Sequence, residues 1–512
     1  MVCRRAHGSL AGGRAASALA PPLLALAALL LTGCAGLDPY RAAPAAQHLQ
    51  RPDDVGRCAR LLQEVDRRID AAGVRDGQSA PVAGFPYLRA DRLTAALAPP
   101  PAHDPRFAAW TGLLAQLDQQ ARRLELTHAD VAPLALVETC RTVLAVADET
   151  PEARALLHAA AVVPDDYSPA LRGLGLYALA RLPFAAGVRQ WQRATEAVFA
   201  MPEPDLPLQG ELRRYAPAAP AGPLPRLPQA PALGLPVLDD ARLRALIVQH
   251  APLLQIDRAT DADDPGALRW VEADGRLQVA TDPALPVAYV RTTYTLLQGR
   301  AHLQLIYGFW FARRPAAGPL DLLAGALDGL LWRVTLAADG TPLVFDSIHP
   351  CGCYHLFFAS SRVEPRPPPR RRADGGEEGA LDETLFMPQA GRLDVAASER
   401  VLLRLAAGTH YLQRVSVVAA DGAGPAALAY ALRDDDELRS LPLPASGRRS
   451  AFGPDGLIAG TERAERWLFW PMGIRSAGQM RQWGRHATAF VGRRHFDDPR
   501  LLERYFALTG PS

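Results

Sequence analysis

Apolar positions between residues 52 and 200 recur at alternating steps of three and four. Val55, Cys58, Leu62, Val65 and Ile69 form one such stripe. Phe107, Trp110, Leu114, Leu117 and Leu124 form a second, and Val137, Cys140 and Leu144 a third. That spacing lines one face of an α-helix. Thr150-Pro151-Glu152 and Ser168-Pro169 read as helix starts: a hydroxyl caps the first free amides, and the proline that follows has no amide to leave unpaired. Residues 51–200 are therefore expected to be an all-helical domain, in which Phe85-Pro86-Tyr87-Leu88-Arg89 is an aromatic turn that packs on helices.

Ten prolines fall between Met201 and Pro236. Proline fixes its own φ and removes a donor, so 201–236 is expected to be neither helix nor central strand but a semi-rigid linker or a strap. Beyond it the period shortens. Leu277 to Val279, Ala288 to Val290 and the run His302 to Phe311 are short and β-rich. Trp332 to Leu336 and Leu343 to Phe345 flank Asp339-Gly340, which predicts a hairpin. Val401 to Leu405 and Gln413 to Val418 add strands. Residues 364–379, with Pro367 to Arg372 and a Gly/Glu tail, predict a disordered insertion. From about Thr461 the pattern is mixed and ends in a helix over Pro499 to Leu508. The expected class is α+β and multidomain: an N-terminal all-α domain, the 201–236 linker, and a β-rich, sandwich-like domain over 237–512 with a mixed α/β C-terminal segment.

The first residues follow a different pattern. Arg4, Arg5 and Arg14 precede an apolar run from Ala15 to Leu31, interrupted by Pro21 and Pro22. A membrane span needs roughly 20 apolar residues, so a broken run of 17 is a poor one. The run closes on Leu31-Thr32-Gly33-Cys34. This resembles the signal peptide and lipobox of bacterial lipoproteins. The resemblance implies cleavage after residue 33, lipid (palmitate among its acyl chains) on Cys34, and a membrane partner held through that lipid. Ala35 in place of an aspartate implies the outer membrane. The Ala/Pro/Gln-rich residues 34–50 are expected to be a flexible tether.

Composition changes this picture little. The chain from Cys34 onward is long enough for two or three domains, and a formal net charge of +2 argues against a nucleic-acid partner. All 56 basic residues are arginine, and asparagine is absent too. Avoidance of AT-rich codons explains both, so arginine clusters here carry less weight as phosphate sites. Of the six cysteines, Cys58 and Cys140 sit on helical stripes, which makes a disulfide between packed helices plausible in an exported protein.

Four stretches of the β region fall in a suggestive order. His250-Ala251-Pro252-Leu253-Leu254 precedes Asp264-Pro265-Gly266-Ala267-Leu268-Arg269-Trp270. Leu305 to Phe311 follows, then Asp328-Gly329-Leu330-Leu331-Trp332-Arg333 and His349. Residues 247–355 thereby resemble the vacuolar-protein-sorting-type β-sandwich proteins and the necrosis-inducing secreted toxins, whose marks are H-x-G-D-W-E and H-R-H-D-W-E. The resemblance implies a sandwich and, in the toxins, a divalent cation held by histidine and acids. Trp332 keeps the tryptophan, Arg333 and Leu331 replace the acids, and only Asp328 remains acidic nearby.

The densest chemistry is His349-Pro350-Cys351-Gly352-Cys353-Tyr354-His355. Thiolate and imidazole suit zinc or copper. A straight strand would spread His349, Cys351, Cys353 and His355 over about 20 Å, too far for one ion, whereas Pro350 and Gly352 could fold the segment. Three readings stay open: a metal site using some of these residues, completed by Asp346, His410 or His486; a disulfide at Cys351 and Cys353; or buried residues without special chemistry. No H-E-x-x-H, phosphate loop or dinucleotide fingerprint occurs. The leading expectation is thus a lipid-anchored envelope protein that binds or braces something, with an envelope protein as a candidate partner. The alternative is a metal-binding protein or metal-dependent hydrolase centred on 349–355.

Overall fold

A computed structural model describes residues 38–101, 104–129, 131–218, 227, 233–366, 382–420, 422, 424 and 426–510. The helical stripes become helices. Val55 to Ile69 falls in α1 (Asp54–Ala72), which buries Cys58, Leu62, Val65 and Ile69. The next two stripes fall in α2 (Arg106–Ala129) and α3 (Leu134–Ala147). Thr150 accepts from the amide of Ala153 at the start of α4 (Pro151–Ala160), and Ser168 from that of Leu171 at the start of a short helix, as the capping argument requires. The long helix α5 (Tyr177–Ala200) and α6 (Asp240–His250) complete the main helices. Cys58 and Cys140 form a disulfide between α1 and α3, with Cα atoms 4.9 Å apart.

Three expectations about the N-terminal half need correction. Residues 51–200 are not all helical: β1 (Ala80–Val82) and β2 (Phe85–Ala90) form a hairpin. The aromatic turn is thus a strand with all six residues buried, because helices cover both its faces. Of the tether expected over 34–50, residues 39–50 are packed rather than free. The Tyr40 hydroxyl donates to Asp66 (2.6 Å), and His48 meets Asp148 at 2.8 Å. The proline-rich stretch 201–236 contributes β3 (Glu211–Pro217), a central strand. Residues 208–216 hold no proline. Pro217 ends the strand, where the amide of Ala218 makes the bond to Tyr430 O instead (3.0 Å). The described residues from Pro39 onward cluster as one compact unit, so the chain before and after the proline-rich stretch does not form two bodies.

The α+β class is what the structure has. The strands β4 (Leu253–Arg258), β5 (Ala267–Ala273), β6 (Arg276–Asp282), β7 (Val287–Leu297), β8 (Arg300–Arg314), β9 (Gly325–Leu336), β10 (Pro342–Ile348) and β11 (Leu356–Ala359) come first. β12 (Val363–Pro365), β13 (Glu399–Leu405), β14 (Leu412–Ala419) and β15 (Leu428–Asp434) follow. Ten strands make one mixed sheet, in the order β11-β10-β9-β8-β7-β15-β3-β4-β13-β14. Strands β7 to β11 are an antiparallel meander, and β9–β10 is the hairpin expected around Asp339-Gly340. The parallel pairs are β7–β15, β15–β3 and β4–β13.

The sheet curls on itself, and one core holds side chains from both its ends: Leu254, Leu403 and Val415 with Phe309, Trp332 and Phe358. In β8 the odd residues Leu303 to Phe311 enter that core, while Ile306 and Trp310 pack on the outer face under the C-terminal segment. Cover on both faces explains why β8 reads as an unbroken apolar run. Of the loop expected over 364–379, residues 364–366 are described: β12 pairs with Phe506–Leu508, and 367–379 lie outside the described residues. The C-terminal helix is shorter than expected (Leu501–Tyr505) because the chain then enters that pairing.

Candidate functional site

The 349–355 segment is the turn from β10 to β11. The amide of Gly352 donates to His349 O (2.8 Å), and that of His349 to Cys353 O (3.0 Å). Gly352 has φ +92°, and a Cβ there would stand 2.4 Å from Ala487 O, so no other residue fits. Across this turn the side chains change faces. His349 joins the core side, where its Nδ1 lies 3.2 Å from Asp328. His355 joins the outer side, where its Nε2 lies 2.8 Å from Asp346. Asp346 is also clamped by Arg333 (2.8 and 2.6 Å), whose guanidinium lies 3.8 Å over the Phe496 ring. Burial, against weaker help from Asp346, pulls the His355 imidazole down to about 3, so it stays neutral. Cys351 and Cys353 are free thiols, hydrogen-bonded to each other. That bond, then burial, push the Cys353 thiol up, and it is not a thiolate at neutral pH.

The zinc or copper set expected from His349, Cys351, Cys353 and His355 is therefore not assembled. The alternation of strand side chains puts the two histidines on opposite sides of a sheet, while Cys351 and Cys353 pack in an apolar cluster with Trp310 and Met480. No group of three or more His, Cys, Asp or Glu among the described residues is arranged to hold a metal. Cys34 lies outside the described residues.

On the core side the sequence pointed to Asp328, His349 and His410 and missed Asp263. His410 Nδ1 lies 2.9 Å from Asp328, and its Nε2 makes an ionic contact with Asp263 at 3.4 Å. The ring stacks on Phe311 at 4.0 Å. Burial lowers the His410 pKa, but the two carboxylates outweigh it and the net shift is upward. Burial raises the Asp328 carboxyl, yet its two histidine partners hold it well below the usual range. Burial also works against Asp263, but His410 and the amides of Gly408 and Thr260 bring it to about 2. Arg463 approaches Asp328 at 3.7 Å. Two buried carboxylates thus face two cations, and His349, lowered mainly by burial, remains the neutral member. The balance is internal. His349 also borders a cavity of about 20 Å³ with Ser347, Tyr354 and Tyr411, room for roughly one water.

Beside this cluster opens a pocket of about 500 Å³. Helix α5 supplies Pro183, Phe184, Gly187 and Trp191, and the 349–355 turn supplies Cys351 to His355. The remaining wall comes from Glu383 to Phe386 and from the segments around Glu465 to Phe469 and Ala487 to Phe490. Its aromatic frame is interlocked: Phe184–Phe469 at 5.1 Å, Phe469–Phe490 at 4.8 Å, and Trp191–Tyr354 at 5.5 Å. Most polar groups in the wall are engaged by the scaffold. Glu383 accepts from the amides of Phe490 and Val491 (2.6 and 2.9 Å), and Arg494 donates to the carbonyls of Thr488 and Thr384 (2.9 and 3.1 Å).

Glu465 differs. It is buried, and among the described residues no hydrogen bond reaches its carboxyl. Burial pushes that carboxyl up to about 7, against the opposing charge of Arg463. A second cleft of about 740 Å³ is larger but charged, and its Arg291 is paired with Asp435 and Asp436. Nothing in the local pattern around Glu465 marks it, because the pocket joins segments hundreds of residues apart. No protein-family model, curated protein or solved structure matches the chain.

Proposed function

We propose that this chain is an exported envelope lipoprotein whose folded body binds a small, largely apolar molecule in the pocket between α5 and the 349–355 turn. The observation that carries the reading is the pocket itself. Its volume lies within the roughly 300–1,000 Å³ of ligand sites, and an apolar wall with few free polar groups is their usual make-up. Glu465 is the group left to meet a polar end of the ligand, donating when protonated and accepting when ionised. The disulfide between Cys58 and Cys140 fits an oxidising compartment. Leu31-Thr32-Gly33-Cys34 supports lipid on Cys34 and, with Ala35, a place at the outer membrane, where another envelope protein is a candidate partner. No described helix is long and apolar enough to cross a membrane.

The test is a titration of the chain from Ala35 onward with phenylnaphthylamine, a neutral aromatic dye that brightens in apolar sites. The wild type should saturate at one site. A Cβ at Gly187 meets nothing within 4 Å and Gly187 lines the pocket, so Gly187→Trp places bulk at the pocket wall from a position with room for a side chain. Its dye affinity should fall by roughly tenfold or more, as expected when about 2 kcal/mol of apolar burial is lost. Equal affinity in the two proteins would end the pocket reading. For the anchor, Cys34→Ala should abolish lipidation, and a variant that still matures and stays with membranes in high salt would remove that part.

A further inference from the structure

The rim of the pocket is apolar on its outside as well. Leu179 and Leu182 lie exposed on α5, beside Pro183 and Gly187 of the pocket lip. Across the mouth, Trp467 is 73% exposed and Leu468 55%. Leu320 is 89% exposed, and Leu322, also exposed, is tied to the same rim because its carbonyl accepts from the amide of Glu465 (3.0 Å). Three separate segments therefore present large apolar side chains to solvent around one opening. Single exposed apolar residues need no explanation, but several on three segments that border one cavity do. Arginines stand around it. Arg466 lies 4.8 Å over the ring of Trp467, and Arg181, Arg189 and Arg475 flank the same segments. None of these four makes an ion pair among the described residues. The nearby acid, Asp321, is engaged by the amides of Ala317 and Leu323 (3.0 and 2.9 Å).

We infer that this rim docks on a lipid bilayer carrying anionic headgroups, with Trp467 and the leucines in the interface, the arginines at the headgroups, and the pocket opening toward the membrane. Tryptophan and leucine beside arginine is the composition of interfacial anchors, and four unpaired guanidiniums complement an anionic surface. The inference deepens the pocket reading, on which its second half rests: the apolar molecule would be a membrane lipid or its acyl chain, entering without crossing water. It also gives a lipid tether a purpose beyond attachment, since tethering concentrates this rim at the membrane.

The experiment is co-sedimentation of the chain from Ala35 onward, which contains the whole compact unit and no lipid, with vesicles of phosphatidylcholine alone or mixed with phosphatidylglycerol. The wild type should pellet with the mixed vesicles at low salt and be released by high salt. Trp467→Ser with Leu179→Ser should lose roughly tenfold or more in vesicle affinity, as two side chains leave the interface, while dye binding in the pocket is kept. Arg466→Gln should lose about fivefold. A wild type that stays in the supernatant, equal pelleting on neutral vesicles, or variants that pellet like the wild type would each overturn the inference. If vesicle binding survives while Gly187→Trp leaves dye affinity unchanged, the pocket reading fails and the docking face stands.

Discussion

The N-terminal helices and the pocket rim treat arginine in opposite ways. Among the helices, Arg89 is fully buried and grips Glu125 through two bonds (2.7 and 2.8 Å), with Asp118 at 3.3 Å. Arg122 continues the network to Asp66 and to Pro86 O. Each buried charge of this network has an opposite partner, and the apolar residues packed around it, Leu62, Val65, Ile69 and Leu114, are covered. At the rim, Arg181, Arg189, Arg466 and Arg475 lack carboxylate partners among the described residues, and leucines and Trp467 face solvent. A region that satisfies its own groups is built for stability. A region that leaves both kinds of group open is built to meet something else, and in this protein the openness surrounds an apolar pocket of about 500 Å³.

Breaking the closed network should have the largest effect. Arg89→Met leaves Glu125 as an uncompensated buried charge and takes from Asp118 one of its two arginine partners, Arg122 remaining at 3.0 Å; breaking such a pair typically costs about 3–5 kcal/mol. Denaturant unfolding should show it as a drop in midpoint, and an unchanged midpoint would mean the network is not what holds the helices.

Next is Glu465. A carboxyl raised from its ordinary 4.5 to about 7 favours the folded state while protonated. Its contribution is fully present below pH 4.5 and is lost as pH rises through 7. A shift of this size amounts to roughly 3 kcal/mol. Glu465→Gln should match the wild type near pH 4 and exceed it above pH 7. Parallel curves for the two proteins would show that Glu465 has an ordinary pKa.

The same comparison predicts that Gly187→Trp hardly alters unfolding, by under about 1 kcal/mol, since it adds bulk to open space on a helix and removes a glycine. A large loss would mean that the pocket closes during folding. The smallest effect concerns the sulfurs. Under denaturing conditions without reductant, the chain from Ala35 onward should show the thiols of Cys351 and Cys353 free and those of Cys58 and Cys140 unreactive. Four blocked sulfurs would mean that the turn carries a disulfide.

Much of the helical region and part of the sheet were legible in the sequence, because their signals are local. The stripes through Cys58 and Cys140, the caps at Thr150 and Ser168 and the Asp339-Gly340 hairpin each follow from a few neighbouring residues. Strand β3 was hidden because proline count was weighed over the proline-free interval 208–216, and because β4 and β15 decide its place in the sheet. The metal set failed for a geometric reason. Residues two apart share a face only while the strand lasts, and here β10 ends before His349 and the chain turns through Gly352 before His355. The pocket was illegible because no window of sequence contains both Trp191 and Glu465. The trace it left was Cys351-Gly352-Cys353, for which a metal site, a disulfide and plain burial all stayed open, and which is part of a wall.

The central claim is that the pocket holds an apolar molecule, and the most direct measurement is to look for one. Chain from Ala35 onward, produced by export into a bacterial envelope and purified without detergent, would be extracted with organic solvent and the extract analysed by mass spectrometry. The account predicts an apolar species recovered in near-stoichiometric amount from the wild type and absent from Gly187→Trp. No such species in either protein, or the same amount from both, would contradict it.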